Sequence, residues 1–160
     1  MIQAITETNL TAYVQTLDNK ITTLADTQIR YLWKFTNKMS KKNHYNYART
    51  ETITERFTKS IFSFSPTRDI YTGWINFIPS GHYTYEVYEV AWDGTVTVSE
   101  GYAPKNENDV LFPPASDKGV VQGLVTKGIM YVADKSGTAQ VQYTQHPEPS
   151  GTNYIYYGQE

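Results

Sequence analysis

"PSGHYTYEVYEVAW", Pro79 to Trp92, is the stretch on which the reading of the fold turns. A half-buried strand alternates apolar and polar residues with period two. Here the alternation begins on one face, with Tyr83, Tyr85 and Val87 opposite Thr84 and Glu86, and then changes phase. From Tyr88 onward the apolar set is Tyr88, Val90 and Trp92, which lies on the other face. The simplest account is one long strand, bulged or twisted between Val87 and Glu89. It would serve one sheet face first and a second apolar neighbour later. That neighbour is either the chain's own loop from Gly101 to Lys118 or another subunit, so Tyr88 and Trp92 are expected to be covered.

The same stretch holds the most tempting pair of carboxylates, Glu86 and Glu89. Two carboxylates flanking a sugar bond can hydrolyse it. A spacing of three on a regular strand sends the two side chains to opposite faces. Only a bulge would bring them together, and then both would point to solvent. Both glutamates are therefore read as solvated strand acids.

Outward from this strand, the pattern is β. "IRYLWKFTN" (Ile29–Asn37) sets Ile29, Tyr31, Trp33 and Phe35 against Arg30, Leu32 and Lys34. "HYNYAR" (His44–Arg49) alternates again after a polar turn. "RFTKSIFSFS" (Arg56–Ser65) places Phe57 and Ile61 inward, with Phe62 or Phe64 after a phase shift. "DIYTGWINFIPSG" (Asp69–Gly81) contributes Ile70, Trp74 and Phe77. Asp93-Gly94 is a two-residue hairpin signal, and "TVTVS" (Thr95–Ser99) follows it with strict alternation. A Pro- and Asn-containing loop occupies Glu100–Gly119. "VVQGLVTKGIMYVAD" (Val120–Asp134), "AQVQYTQ" (Ala139–Gln145) and "NYIYYG" (Asn153–Gly158) complete the set. Eight or nine short strands separated by frequent turns predict an all-β antiparallel sandwich, immunoglobulin-like in arrangement, with a jelly roll as the alternative.

The first 26 residues read differently. Leu10, Val14, Leu17, Ile21 and Leu24 recur at steps of four and three, a coiled-coil-like seam over two heptads. Threonines at 11, 16, 22 and 23 weaken an isolated helix, and two heptads are marginal alone in water. The expectation is an N-terminal helical or extended arm, residues 1–26, that uses this seam against its own domain or another subunit. A sandwich domain occupies residues 27–160.

Bulk properties narrow the function classes. The chain has 160 residues, no Cys, and 14 Tyr. Disulfides, thiol nucleophiles and Cys-ligated metals are excluded. No run approaches the length of an apolar membrane span, and the N-terminus lacks the basic start and apolar block of a signal peptide. A soluble protein outside the general secretory route is expected. The net charge is −2, but it is segregated. Arg30 to Arg68 holds nine Lys/Arg against Glu51 and Glu55, whereas Asp69 to Glu160 holds four Lys against eleven acids. The basic residues are spread among strand residues without a dense run, which favours a dipolar domain, its basic and acidic strands lying side by side or facing other copies, over nucleic-acid binding.

The search for chemistry finds little. His44, His82 and His146 form no ligand pair. Nucleophile-elbow, phosphate-loop and dinucleotide motifs are absent, and "KNENDV" does not fit a calcium loop. No catalytic residue, metal site or cofactor is assigned, and an enzyme is not expected. Tyr154, Tyr156 and Tyr157 near the C-terminus, with Trp92 beside the turn, are candidates for a protein–protein surface, since interfaces favour Tyr and Trp.

Four stretches, "YLWKFTN", "TGWINFIPSGHYTYEVYEV", "KGVVQGLVTKGIMYVAD" and "VQYTQHPEPSGTNYIYYGQE", resemble small structural virion proteins of tailed bacteriophages. The resemblance covers Tyr31 to Glu160 and implies a β-sandwich located in the virion. It implies an auxiliary (decoration or cement) capsid protein bound to other virion proteins, or a neck or tail component, with a homo-oligomer as a further arrangement. It brings no catalytic residues. A carbohydrate-binding module contacting the host is the alternative from another class.

Overall fold

The computed structural model of the chain describes residues 1–137. The expected strands at Ala139–Gln145 and Asn153–Gly158, together with Tyr154 and Tyr156, lie outside the described residues. Nine strands are present among the described residues: β1 (Ile2–Ile5), β2 (Leu10–Val14), β3 (Ile29–Asn37), β4 (Asn43–Tyr47), β5 (Thr50–Ile53), β6 (Thr58–Phe64), β7 (Trp74–Ile75), β8 (Gly81–Ala91) and β9 (Val120–Ala133). They form two sheets. The larger has the order β1-β9-β8-β3-β4; the smaller runs β2-β6-β5, with β7 beside the end of β6. All pairings are antiparallel except β1 with β9 and β6 with β7.

The core between the sheets is aromatic. Tyr31, Trp33 and Phe35 of β3 alternate inward as the sequence predicts, and all three are buried. The Trp33 ring centroid lies 5.5 Å from Phe62 on the facing sheet, edge to face, and 5.6 Å from Tyr85 on the neighbouring strand. Phe35 meets Phe77 edge to face at 5.1 Å. Such contacts add to the area each ring removes from water. At the start of β8, the Tyr83 hydroxyl donates to the Pro79 carbonyl at 2.6 Å, which satisfies the one polar atom of a buried ring.

The opening stretch resolves into one strand whose later part is covered on both sides. β8 is regular against β3 over nine consecutive pairs, from Ile29↔Ala91 to Asn37↔Tyr83. The irregularities are on β9 instead. Register shifts at Val87/Tyr88 and Glu89/Val90 leave Val125 and Gln122 as the extra residues of two bulges. Because β8 keeps strict period two, Tyr83, Tyr85, Val87, Glu89 and Ala91 all face the sandwich interior. His82, Thr84, Glu86, Tyr88, Val90 and Trp92 point the other way. The phase change in hydrophobicity marks the place where the outer face becomes covered, not a break in the strand. Trp92 and Val90 are fully buried there in a second cluster with Leu32, Tyr47 and Ala103.

Several expectations are corrected. The N-terminal seam does not form a helix. Leu10, Ala12 and Val14 alternate as the buried side of β2, while β1 pairs in parallel with β9. The four-three spacing contains this shorter alternation, and the β-branched threonines favour it. Residues 1–26 thus supply one strand to each sheet rather than an arm standing off the domain. Leu17 and Leu24 are half-buried and Ile21 is exposed in the irregular connection that follows. "TVTVS" is not a strand: Val96 and Val98 cover the second cluster from an irregular segment, with Gly94 N–H bonded to the Ser116 carbonyl. Residues 69–81 hold a turn at 70–73, the two-residue β7 and an irregular segment rather than one strand. Along β6, Thr58, Ser60 and Phe62 face inward, so Phe57 and Ile61 face out, the reverse of the sequence reading.

Candidate interaction surface

Residues 93–119 roof part of the outer face of the larger sheet, around Leu32, Tyr88, Val90 and Trp92, and leave Ile129 and Tyr131 of the same face exposed. The backbone of the roof is tied down at several points. The Tyr47 hydroxyl donates to the Pro104 carbonyl at 2.7 Å, and Gly119 N–H donates to the Tyr102 carbonyl at 2.8 Å. Gly119 lies flat on the Trp92 indole: a Cβ there would come within 2.7 Å of the ring, so the close approach requires glycine. On the same face Lys34 of β3 bridges two carboxylates, Glu86 of β8 at 3.2 Å and Glu107 of the roof at 2.7 Å. Burial alone would lower the Lys34 pKa. The bonds to Glu107 and Glu86 outweigh it and hold the ammonium above its ordinary value. Burial would raise Glu107, but Lys34 holds it below the usual carboxylate range.

The tip of this anchored roof is apolar and bare. Val110 is 72% exposed and Phe112 78%, and Val120 at the start of β9 stands beside them, also exposed. Val110, Leu111, Phe112, Val120 and Val121 line a hollow of about 390 Å³ with Lys118 at its edge.

A second surface is on the opposite side of the sandwich, on the outer face of the smaller sheet. Tyr13 of β2 is 56% exposed and Trp74 of β7 is 42% exposed, and Phe57, also exposed, stands edge to face with Tyr13 at 5.4 Å. Strand register places Tyr13 opposite Lys59 and Trp74 opposite Ser63, so these residues share one face with Ile61 between them. Lys59 Nζ sits 5.9 Å above the Tyr13 ring, and Arg49 donates to the Ser63 hydroxyl at 3.2 Å. The face is aromatic and basic.

Glu86 and Glu89 lie on opposite faces of β8, as a regular strand requires. Glu86 is held by Lys34. Glu89 is not solvated, contrary to the sequence reading: it is fully buried and accepts the backbone N–H groups of Ile21 at 3.0 Å and Thr22 at 2.9 Å. No cleft presents both carboxylates to one substrate. Glu51 of β5 is also directed inward, opposite Ser60, and one carboxyl oxygen is buried without a partner. Burial pushes its pKa up to about 8, against the pull of Arg30. His44 lies against the Arg68 guanidinium; burial, with Arg68 and Lys42, pushes it down to about 4. No group of three or more potential metal ligands occurs among the described residues. No helix among them is long and apolar enough to cross a membrane.

Of the described residues expected at an interface, most are covered by the chain itself. Leu10 and Val14 are core, and Trp92 and Tyr88 are covered by the chain's own roof. Ile21 of the N-terminal seam is exposed, and bare apolar side chains elsewhere among the described residues include Val110, Phe112, Tyr13, Phe57, Trp74, Ile129 and Tyr131. The signal for Val110 and Phe112 was present in "NDVLFPP", an apolar triplet in a loop, where nothing in local periodicity demands burial. Comparison with known protein families, curated proteins and solved structures finds no match to this chain.

Proposed function

We propose that this chain is an immunoglobulin-like structural protein of a tailed-phage virion, an auxiliary capsid protein that binds other virion subunits and has no catalytic role. The strand order supports the fold assignment. Lettering β2, β3, β4, β5, β6, β8 and β9 as B, C, C′, D, E, F and G gives sheets B-E-D and G-F-C-C′, the division of a variable-type domain. Trp33 is a buried tryptophan on strand C, and the Tyr83–Pro79 bond has the form of a tyrosine corner at the start of strand F. The disulfide of antibody domains has no counterpart, since the chain lacks Cys.

The observation that carries the functional reading is Phe112, left bare on a loop tied to the sheet at Pro104 and Glu107. A large ring held in water on an anchored support gains by being covered by a partner. The motif resemblance supplies the class of partner. Gradient-purified particles analysed by mass spectrometry and cryo-electron microscopy test it. The chain is expected at fixed stoichiometry on the capsid exterior, and its absence from purified particles would overturn the proposal. Density at the neck or tail would assign it there instead. The aromatic face around Tyr13 and Trp74 favours a second reading, a carbohydrate-binding module, which predicts saturable glycan binding by the monomer.

A further inference from the structure

We propose that the chain self-associates head to tail, the Val110–Phe112 tip of one copy seating on the Tyr13–Phe57–Trp74 face of the next. The inference rests on the reading of the Phe112 tip as an interface, but not on location in a virion.

Three observations point to a second copy as the occupant. The first is charge. The aromatic face carries Lys59 and Arg49, with Arg56 in the adjoining turn, against Glu55. The segment that bears the tip carries Asp93, Glu100, Asp109 and Asp117 against Lys105 and Lys118, while Glu107 is already neutralised by Lys34. The face and the roof segment are thus patches of opposite net sign, with Asp109 and Lys118 both lining the apolar hollow at the tip. Such patches attract across an interface and repel their own kind. The second is shape. The tip protrudes, whereas the face is a sheet surface on which Tyr13 and Trp74 stand opposite Lys59 and Ser63. Lys59 and Ser63, four residues apart on β6, are separated by about 13 Å, and Tyr13 and Trp74 flank β6 from its two sides, leaving room for an aromatic ring over Ile61. The third is placement. The tip sits over the larger sheet and the aromatic face belongs to the smaller one, so they look out from opposite sides of the sandwich. One chain cannot join them, and a two-fold pair would bring like patches together. Unlike patches on opposite sides make a heterologous contact, which generates rings or filaments.

The test is complementation between two defective variants of the full chain. Phe112→Asp spoils the tip and Tyr13→Asp spoils the face. Both positions are exposed, and circular dichroism with thermal melting checks that each variant is folded. Wild type is expected to show concentration-dependent oligomers in sedimentation velocity, dispersed by high salt. Each variant alone is expected to associate at least about tenfold more weakly. Mixed, the two variants are expected to form a one-to-one dimer and stop there, because each keeps the patch the other lacks. A second pair, Lys59→Glu with Asp109→Lys, is expected to associate weakly as single variants and to form extended alternating oligomers when mixed, because both contacts then join opposite charges. A wild-type chain that stays monomeric at low salt overturns the proposal. So does a wild-type oligomer unaffected by Phe112→Asp, or a mixture of Phe112→Asp and Tyr13→Asp that forms no dimer. Binding of oligosaccharide or single-stranded DNA to the aromatic face of a monomeric wild type also overturns it. Self-association by a chain missing from particles refutes only the virion reading; particle incorporation of a chain that is monomeric in solution refutes only this one.

Discussion

The carboxylate of Glu89 and the backbone of Ile21 are joined across the end of the sandwich: Glu89 Oε2 accepts the Ile21 N–H at 3.0 Å, and Oε1 accepts that of Thr22 at 2.9 Å. The segment so held runs from the end of β2 in the smaller sheet to the start of β3 in the larger one. Asn19 fixes it further by donating to the carbonyl of the bulge residue Val125 at 2.9 Å. Ile21 also reaches over Gly123, where a Cβ would meet its methyl at 2.9 Å. A buried carboxylate is costly unless its oxygens are satisfied by donors.

Truncating this clasp is expected to be expensive. Glu89→Ala leaves two part-buried N–H groups without their acceptors, at a cost of about 2–5 kcal/mol. Glu89→Gln keeps an acceptor oxygen and is expected to lose about half of that. Urea unfolding followed by tryptophan fluorescence measures both, and an unchanged midpoint in Glu89→Ala would refute the role of the clasp.

Deleting residues 1–26 is expected to destroy the fold. The deletion removes Leu10, Ala12 and Val14 from the core and strips β1 and β2 from β9 and β6. The unpaired edges favour aggregation. Loss of the near-ultraviolet circular dichroism signal is the expected result, and a folded, soluble truncated domain would contradict the way the strands are woven.

Much of this was legible in the sequence, and the failures have physical causes. β3 and β9 were readable end to end because long alternating or β-branched runs admit one assignment. The N-terminal segment was not, because Leu10, Ala12 and Val14 satisfy both a strand period and part of a helical one. "TVTVS" alternates like a strand, yet the neighbours that would pair with it are already paired, so its valines cover a cluster instead. Glu89 read as solvated because a glutamate in a strand usually is. What buries it is a segment nearly seventy residues away in sequence, beyond any local pattern. The aromatic face was missed because Phe57 and Ile61 were assigned inward, a one-residue error in register that turns every side chain over.

The Lys34 bridge makes its own prediction. Lys34→Met removes the cation shared by Glu86 and Glu107 and leaves two half-buried carboxylates facing each other. A loss of about 1–3 kcal/mol is expected. The loss should be concentrated in the roof, so amide hydrogen exchange is expected to speed up around Glu107–Phe112 more than in β3 or β8. Uniform exchange across the sheet would show that Lys34 serves the strands rather than the roof.

Stability should depend on pH in two opposed ways. Burial lowers the His44 pKa from 6.5 to about 4, so its contribution is complete above pH 6.5 and is lost as the pH falls toward 4. Burial raises the Glu51 pKa from 4.5 to about 8, so its contribution is complete below pH 4.5 and is lost as the pH rises toward 8. Between pH 4.5 and 6.5 the two slopes oppose each other, and stability is expected to be near its maximum. From pH 6.5 to 8 only Glu51 acts, and the fall approaches at most about 1.4 kcal/mol per pH unit. The slope from His44 is shallower because its ring is only half-buried. Thermal melting across pH 4 to 8 checks the curve. Glu51→Gln is expected to abolish the decline above pH 6.5 and leave the acid limb intact, while His44→Gln is expected to do the reverse. A decline above pH 6.5 that survives Glu51→Gln would place its origin in another group.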